Sequence, residues 1–118
     1  MPKRLLPVVF VLLTALSGVA YADARSDAKA QVEFGIAVAQ RGLWKEALYR
    51  WARATQIDPT YAAGFNNLGV GYEHEGQLDK AAEAYERALK LEPNNALMRQ
   101  NFELFKEIHD RTNQPQTP

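Results

Sequence analysis

Residues 62–95 read AAGFNNLGVGYEHEGQLDKAAEAYERALKLEPNN, and residues 28–61 read AKAQVEFGIAVAQRGLWKEALYRWARATQIDPTY. Aligned at an offset of 34, Ala28 recurs as Ala62, Gly35 as Gly69, Gly42 as Gly76, Ala47 as Ala81, Arg53 as Arg87, Ala54 as Ala88 and Pro59 as Pro93. Conservative pairs lie between them: Phe34 with Leu68, Trp51 with Tyr85 and Asp58 with Glu92. A constant period of this length marks a chain built from one supersecondary unit used twice.

Within each unit the apolar and small residues fall at helical spacing, Gln31, Phe34, Gly35 and Val38 in the first copy, and Phe65, Leu68, Gly69 and Tyr72 in the second. Past Gly42 or Gly76 a second helix carries Trp44, Ala47, Leu48, Trp51 and Ala54, or Leu78, Ala81, Ala82, Tyr85 and Ala88. Each unit therefore reads as an antiparallel helical hairpin. Gly42 and Gly76 follow a helix end, where a left-handed backbone needs no side chain. Gly35 and Gly69 sit inside helices at about 1 kcal/mol each relative to alanine, a cost offset by close approach of the paired helix. Ala47 and Ala81 are the facing small residues, Trp51 and Tyr85 fill the space between successive hairpins, and Pro59 and Pro93 end the second helices.

The series Phe65-x-x-Leu68-Gly69-x-x-Tyr72, Ala81-x-x-x-Tyr85 and Pro93 resembles the tetratricopeptide repeat family. The first copy keeps Gly35, Ala47, Trp51 and Pro59, but has Gln31 where an aromatic is usual and Val38 where a tyrosine is usual. The resemblance implies an all-α fold of tandem antiparallel hairpins stacked in a right-handed superhelix. Repeat one spans residues 28–61 and repeat two 62–95.

Carried past Pro93, the register opens a third unit whose glycine slot holds Glu103, so no partner helix is expected after it. Met98, Phe102 and Phe105 form a stripe for packing on the second repeat, and Arg99, Glu103, Lys106 and Asp110 form a charged one. Residues 96–111 are thus a solubilising cap. Residues 112–118, polar with two prolines, read as a disordered tail.

In such a stack the first helices line the inner, concave face. Residues off their packing stripe then point into the groove: Lys29, Val32, Ile36 and Gln40 in repeat one, Ala63, Asn66, Val70 and Glu73 in repeat two with His74 beside them, and Leu97, Gln100 and Leu104 in the cap. Val32, Ile36 and Val70 also fit a plain packing role. The resemblance implies that the groove holds an extended or helical peptide, its backbone bonded by amides and its side chains gripped by apolar pockets. Some relatives clamp a C-terminal carboxylate with several cations and amides on this face. This chain offers only Lys29, Asn66 and Asn67, which argues against that clamp. Trp44 and Trp51 share one packing stripe and read as core, whereas Tyr49, off the stripe, is placed to stack on Arg53. Asp79, Lys80, Glu83 and Arg87 read as solvated helix charges.

The chain opens Met1-Pro2-Lys3-Arg4, continues from Leu5 to Ala22 without a charge, and reaches Ala20-Tyr21-Ala22 before Asp23. A basic start, an apolar stretch and small residues at its end are the layout of a secretory signal peptide, with cleavage expected after Ala22 and residues 23–27 left as a lead-in. The competing reading is an uncleaved anchor, since Leu5–Ala22 approaches the roughly 18 residues at which a span becomes possible. Pro7, Gly18 and the small-residue end argue against it. Either way Lys3 and Arg4 direct the domain out of the cytoplasm, with the periplasm the first expectation and secretion the second.

The chain has no cysteine, which excludes disulfides, thiolate zinc sites and thiol nucleophiles. Removing Lys3 and Arg4 leaves 12 basic against 14 acidic residues, no footprint for nucleic acid. After cleavage the remaining serine is Ser26, in a lead-in expected to fray and without a nearby histidine. His74 is flanked by Glu73 and Glu75, but adjacent helical residues diverge by about 100 degrees and do not share an ion. No catalytic residue, metal or cofactor is therefore expected. Two functions stay open: an exported adaptor that binds a protein or peptide in its groove, and a self-associating structural module. The second draws on charge asymmetry, 5 basic and 3 acidic residues in repeat one against 3 and 6 in repeat two.

Overall fold

A computed structural model of the chain describes the backbone of residues 6–113 and the side chains of residues 18–111. Five helices follow one another: α1 (Leu6–Gln40), α2 (Trp44–Ile57), α3 (Ala62–His74), α4 (Leu78–Leu91) and α5 (Ala96–Asn113). There is no strand among the described residues. α1 pairs with α2 and α3 with α4, α2 packs on α3, and α5 closes the array on α4.

The hairpin turns share one geometry because they share one glycine. Gly42 and Gly76 have φ of +80° and +74°, and these left-handed residues let the next amide reach back over the helix end. Leu43 N–H donates to the Val38 carbonyl at 3.0 Å and Gly42 N–H to Ala39 at 2.9 Å; Gln77 to Tyr72 and Gly76 to Glu73 repeat the pattern at 2.9 and 3.1 Å. Both pairs match the Schellman arrangement, which satisfies the orphan carbonyls of the first helix and turns the chain in two residues.

Helix-interior glycines act at the other end of the argument, by absence of volume. A Cβ on Gly35 would lie 2.4 Å from Trp51 Nε1, and one on Gly69 would lie 2.9 Å from the Tyr85 ring. Trp51 and Tyr85 therefore fill a notch in their own hairpin, a refinement of the expectation that they separate successive hairpins. Trp51 does both: its far edge would also meet a Cβ on Gly71 of α3, at 3.1 Å. Its indole N–H donates to the Val32 carbonyl at 3.2 Å, so the buried polar atom is satisfied. One core cluster joins Ala28, Val32, Val38, Ala47, Trp51 and Ala54 of the first hairpin to Leu68 and Ala84 of the second. Farther on, Ala81 and Tyr85 bury Phe105, and Ala62 and Ala88 bury Met98. The capping stripe lies where its spacing placed it, with Met98 and Phe105 buried, Phe102 half-buried and Lys106 bonded to Glu103 at 3.1 Å.

Two expectations change at the chain's margins. Residues 23–27 are not a frayed lead-in but helix, continuous with α1. Arg25 accounts for this: its Nε donates to Asp58 Oδ2 at 2.6 Å, its terminal nitrogen donates to the Thr60 carbonyl and hydroxyl at 3.3 and 3.1 Å, and its guanidinium lies 4.8 Å from the Tyr61 ring centre. α5 runs on to Asn113, two residues into the expected tail, and residues 114–118 lie outside the described residues. The signal peptide expected at 1–22 has its first five residues, and every side chain before residue 18, outside them as well. No helix is, among the described residues, long and apolar enough to cross a membrane.

Candidate functional site: the face of α1, α3 and α5

The first helices of the successive units lie side by side: α1 touches α3, and Asn101 of α5 donates to Asn66 Oδ1 of α3 at 3.3 Å. This layer carries the residues expected to form the groove, and a helix step of about 100 degrees decides which of them reach solvent. Ile36 is 39% exposed, and Lys29, Gln40 and Gln100 are exposed as well. Val32 is not a groove residue. It points between α1 and α2, is 4% exposed and belongs to the core. Asn66, 8% exposed, is likewise withdrawn, its amide turned to Asn101. Ala63, Val70 and Glu73 are half-buried, Val70 packing against the cluster around Tyr85 and Phe105.

Two openings lie along this layer. The first, about 250 Å³, is bounded by Ile36, Ala39 and Gln40 of α1, Asn67 of α3, and Trp44 and Trp51 beneath them. Asn67 is held in place by donating its side-chain amide to the Ala63 carbonyl at 2.8 Å. Trp44 departs from the expectation of a core residue: it is half-buried, walls this opening, and stacks on His74 at 3.9 Å with planes 10° apart. The α3 amide that reaches this opening is therefore Asn67, one residue on from Asn66. Leu97 and Leu104 of α5, 65% and 49% exposed, extend the apolar character of the face toward the chain end.

The second opening, about 270 Å³, is bounded by Glu73 of α3, Leu78 of α4, and Phe105, Ile108 and His109 of α5. Tyr85 donates its hydroxyl to Glu73 Oε2 at 2.7 Å. Burial pushes the Tyr85 phenol far above its ordinary range, and the bond to Glu73 pushes it further, so the hydroxyl stays a donor. Ile108 was missed by reasoning on the sequence, although it lies 34 residues after His74 and one helix turn after Leu104, where the repeat register could have found it.

The outer side carries a different chemistry from the one its sequence suggested. Lys80 and Arg87 are not simply solvated: their cationic groups lie 5.7 Å from the Tyr72 ring centre and 5.6 Å from that of Phe65. In repeat one Arg50, not Arg53, meets the aromatics, 4.4 Å over Phe34 and 5.6 Å from Tyr49, while Arg53 turns to Gln56. These contacts lay cationic side chains over rings that are exposed at Phe34 and Tyr49 and half-buried at Phe65 and Tyr72, and they stabilise the surface of each hairpin.

The model of a tetratricopeptide repeat matches residues 62–95. The Sgt2 TPR domain of Aspergillus fumigatus is similar in structure, with a TM-score of 0.71 over 89% of this chain and 78% of that one at 21% identity, a likeness of fold. Among curated relatives, a probable UDP-N-acetylglucosamine–peptide N-acetylglucosaminyltransferase SPINDLY of Petunia hybrida is 37% identical over 60 residues, 51% of this chain and 6% of that protein. The photosystem I assembly protein Ycf3 of Rippkaea orientalis is 29% identical over 82 residues, 58% of this chain and 47% of that one. The chain thus spans less than half the length of these curated relatives. Residues 62–95 are thus a tetratricopeptide repeat, and with its 34-residue period, its paired glycine notches and its five stacked helices the chain has the all-α fold of tetratricopeptide repeat domains.

Proposed function

We propose that the protein is an exported, non-catalytic interaction module that holds a peptide or helix of a partner protein along the α1, α3 and α5 face. The observation that carries this reading is the first opening, where the exposed Ile36 stands over the tryptophan floor and Gln40 and Asn67 supply amides at its rim. An apolar pocket edged by amides suits a side chain entering from a segment whose backbone needs hydrogen bonds. The exported location rests on the basic start, apolar stretch and small-residue end of residues 1–22. The absence of cysteine and the separation of Ser26 from both histidines support a role in binding.

The test is affinity capture from the cell envelope through a tag after Pro118, comparing wild type with Ile36→Arg. Ile36 is preferred to Val70 because Val70 packs into the core and its loss would confuse folding with binding. A partner captured by wild type and lost from a variant of unchanged circular dichroism is the expected result. Equal capture by both removes the groove. Recovery of the protein's own copies alone, with a native mass that rises with concentration, replaces it with self-association.

A further inference from the structure

The second opening holds a carboxylate, and neither lysine nor arginine lines it. The Glu73 side chain makes no ion pair among the described residues, and the hydrogen bond its carboxylate accepts there comes from the neutral Tyr85 hydroxyl. It is half-buried and shares the opening with the apolar Leu78, Phe105 and Ile108 and with His109, whose ring stacks on Phe105 at 5.9 Å. A carboxylate partly withdrawn from water is unfavourable unless it is paired, so the arrangement favours an incoming cation. The volume, about 270 Å³, is below the 300–1,000 Å³ typical of small-molecule sites and suits one long side chain. Its walls are apolar at Leu78, Phe105 and Ile108, aromatic and polar at His109 and anionic at Glu73, which suits the stem and head of a lysine or arginine. The acidic surplus of repeat two, 6 against 3, adds attraction of the same sign at longer range.

We propose that this pocket receives a lysine or arginine of the partner segment, its stem against Leu78, Phe105 and Ile108 and its cation on the Glu73 carboxylate. The proposal rests on the reading of this face as the partner surface, and it makes that partner basic at the α5 end of the groove. Tyr85 is the positioning residue: its hydroxyl holds one carboxylate oxygen of Glu73 and so fixes the side chain at the opening.

The probes are three capped tripeptides, acetyl-Leu-Arg-Leu-amide and the same peptide with norleucine or glutamate at the centre, titrated into the isotope-labelled protein purified from the cell and followed by NMR. The arginine peptide should shift the signals of Leu78 and Ile108, and bind on the order of 10-fold more tightly than the norleucine peptide, as a charge-assisted contact implies. Glu73→Gln keeps an acceptor for the Tyr85 hydroxyl while removing the charge, so it should retain the native spectrum and erase that preference. The proposal is overturned by equal binding of the arginine and norleucine peptides, by tighter binding of the glutamate peptide, by an unchanged preference in Glu73→Gln, or by no shift at Ile108 at millimolar peptide. Shifts confined to Ile36 and Asn67 would remove this pocket and leave the groove; equal capture by wild type and Ile36→Arg would remove the groove itself.

Discussion

At the scale of single residues, Asp58 shows how a corner between repeats is fixed. Burial alone would raise its pKa, but the Thr60 hydroxyl and amide, at 2.6 and 2.9 Å, and the Arg25 guanidinium outweigh it and hold the carboxyl below its ordinary value. A carboxyl with a lowered folded pKa contributes stability above its unfolded value, about 3.9, and that contribution is lost as the pH falls through the folded one. Arg25 is half exposed, so water weakens its share of the bond. Arg25→Ala should therefore cost about 1 kcal/mol at neutral pH. The difference from wild type should shrink as Asp58 protonates below about pH 4. Urea unfolding of both proteins at pH 7 and pH 3 checks this, and an undiminished gap at pH 3 would assign the effect to helix packing instead.

Elements are set by what the paired helix inserts. Gly35→Ala gains about 1 kcal/mol of helix propensity, yet its Cβ would sit 2.4 Å from the Trp51 ring, and overpacking of about 1–3 kcal/mol outweighs the gain. Thermal melting should place Gly35→Ala below wild type and Gly69→Ala between them, since the Tyr85 contact is looser at 2.9 Å. This notch explains why the hairpins were legible in the sequence: a glycine and an aromatic ring must occur together, and the pair recurs after 34 residues. The turns were legible for a similar reason, a positive φ at Gly42 and Gly76. The groove was less so. Val32 and Ile36, or Asn66 and Asn67, differ by a helical step or a turn, and which one reaches solvent depends on the neighbouring helix, not on the residue. The helical state of residues 23–27 was hidden in the same way, because Arg25 finds its partner 33 residues further along. Gln31, in the slot that Phe65 occupies in repeat two, leaves its side-chain oxygen buried without a hydrogen-bond partner, a departure from the repeat pattern that the spacing did expose.

The whole molecule is a short linear array in which each unit touches only its neighbours, and such arrays hold together through their interfaces. Here the interface is a shared cluster: Trp51 reaches Gly71, while Leu68 and Ala84 complete the core of the first hairpin. Both tryptophans lie on α2, and they report on different events. Trp51 is sealed in the core, so its emission should be blue-shifted until water enters; Trp44 lies flat against an imidazole from repeat two, so its emission should be dim until the repeats part. Intensity thus follows the junction between units, wavelength follows the first hairpin, and far-ultraviolet circular dichroism follows all five helices. Because one cluster spans the junction, the three curves should coincide in a denaturant titration. A rise in intensity ahead of the wavelength shift would mean that the array unzips from its α5 end. The pair of indoles makes the molecule its own two-channel optical gauge, readable without a label.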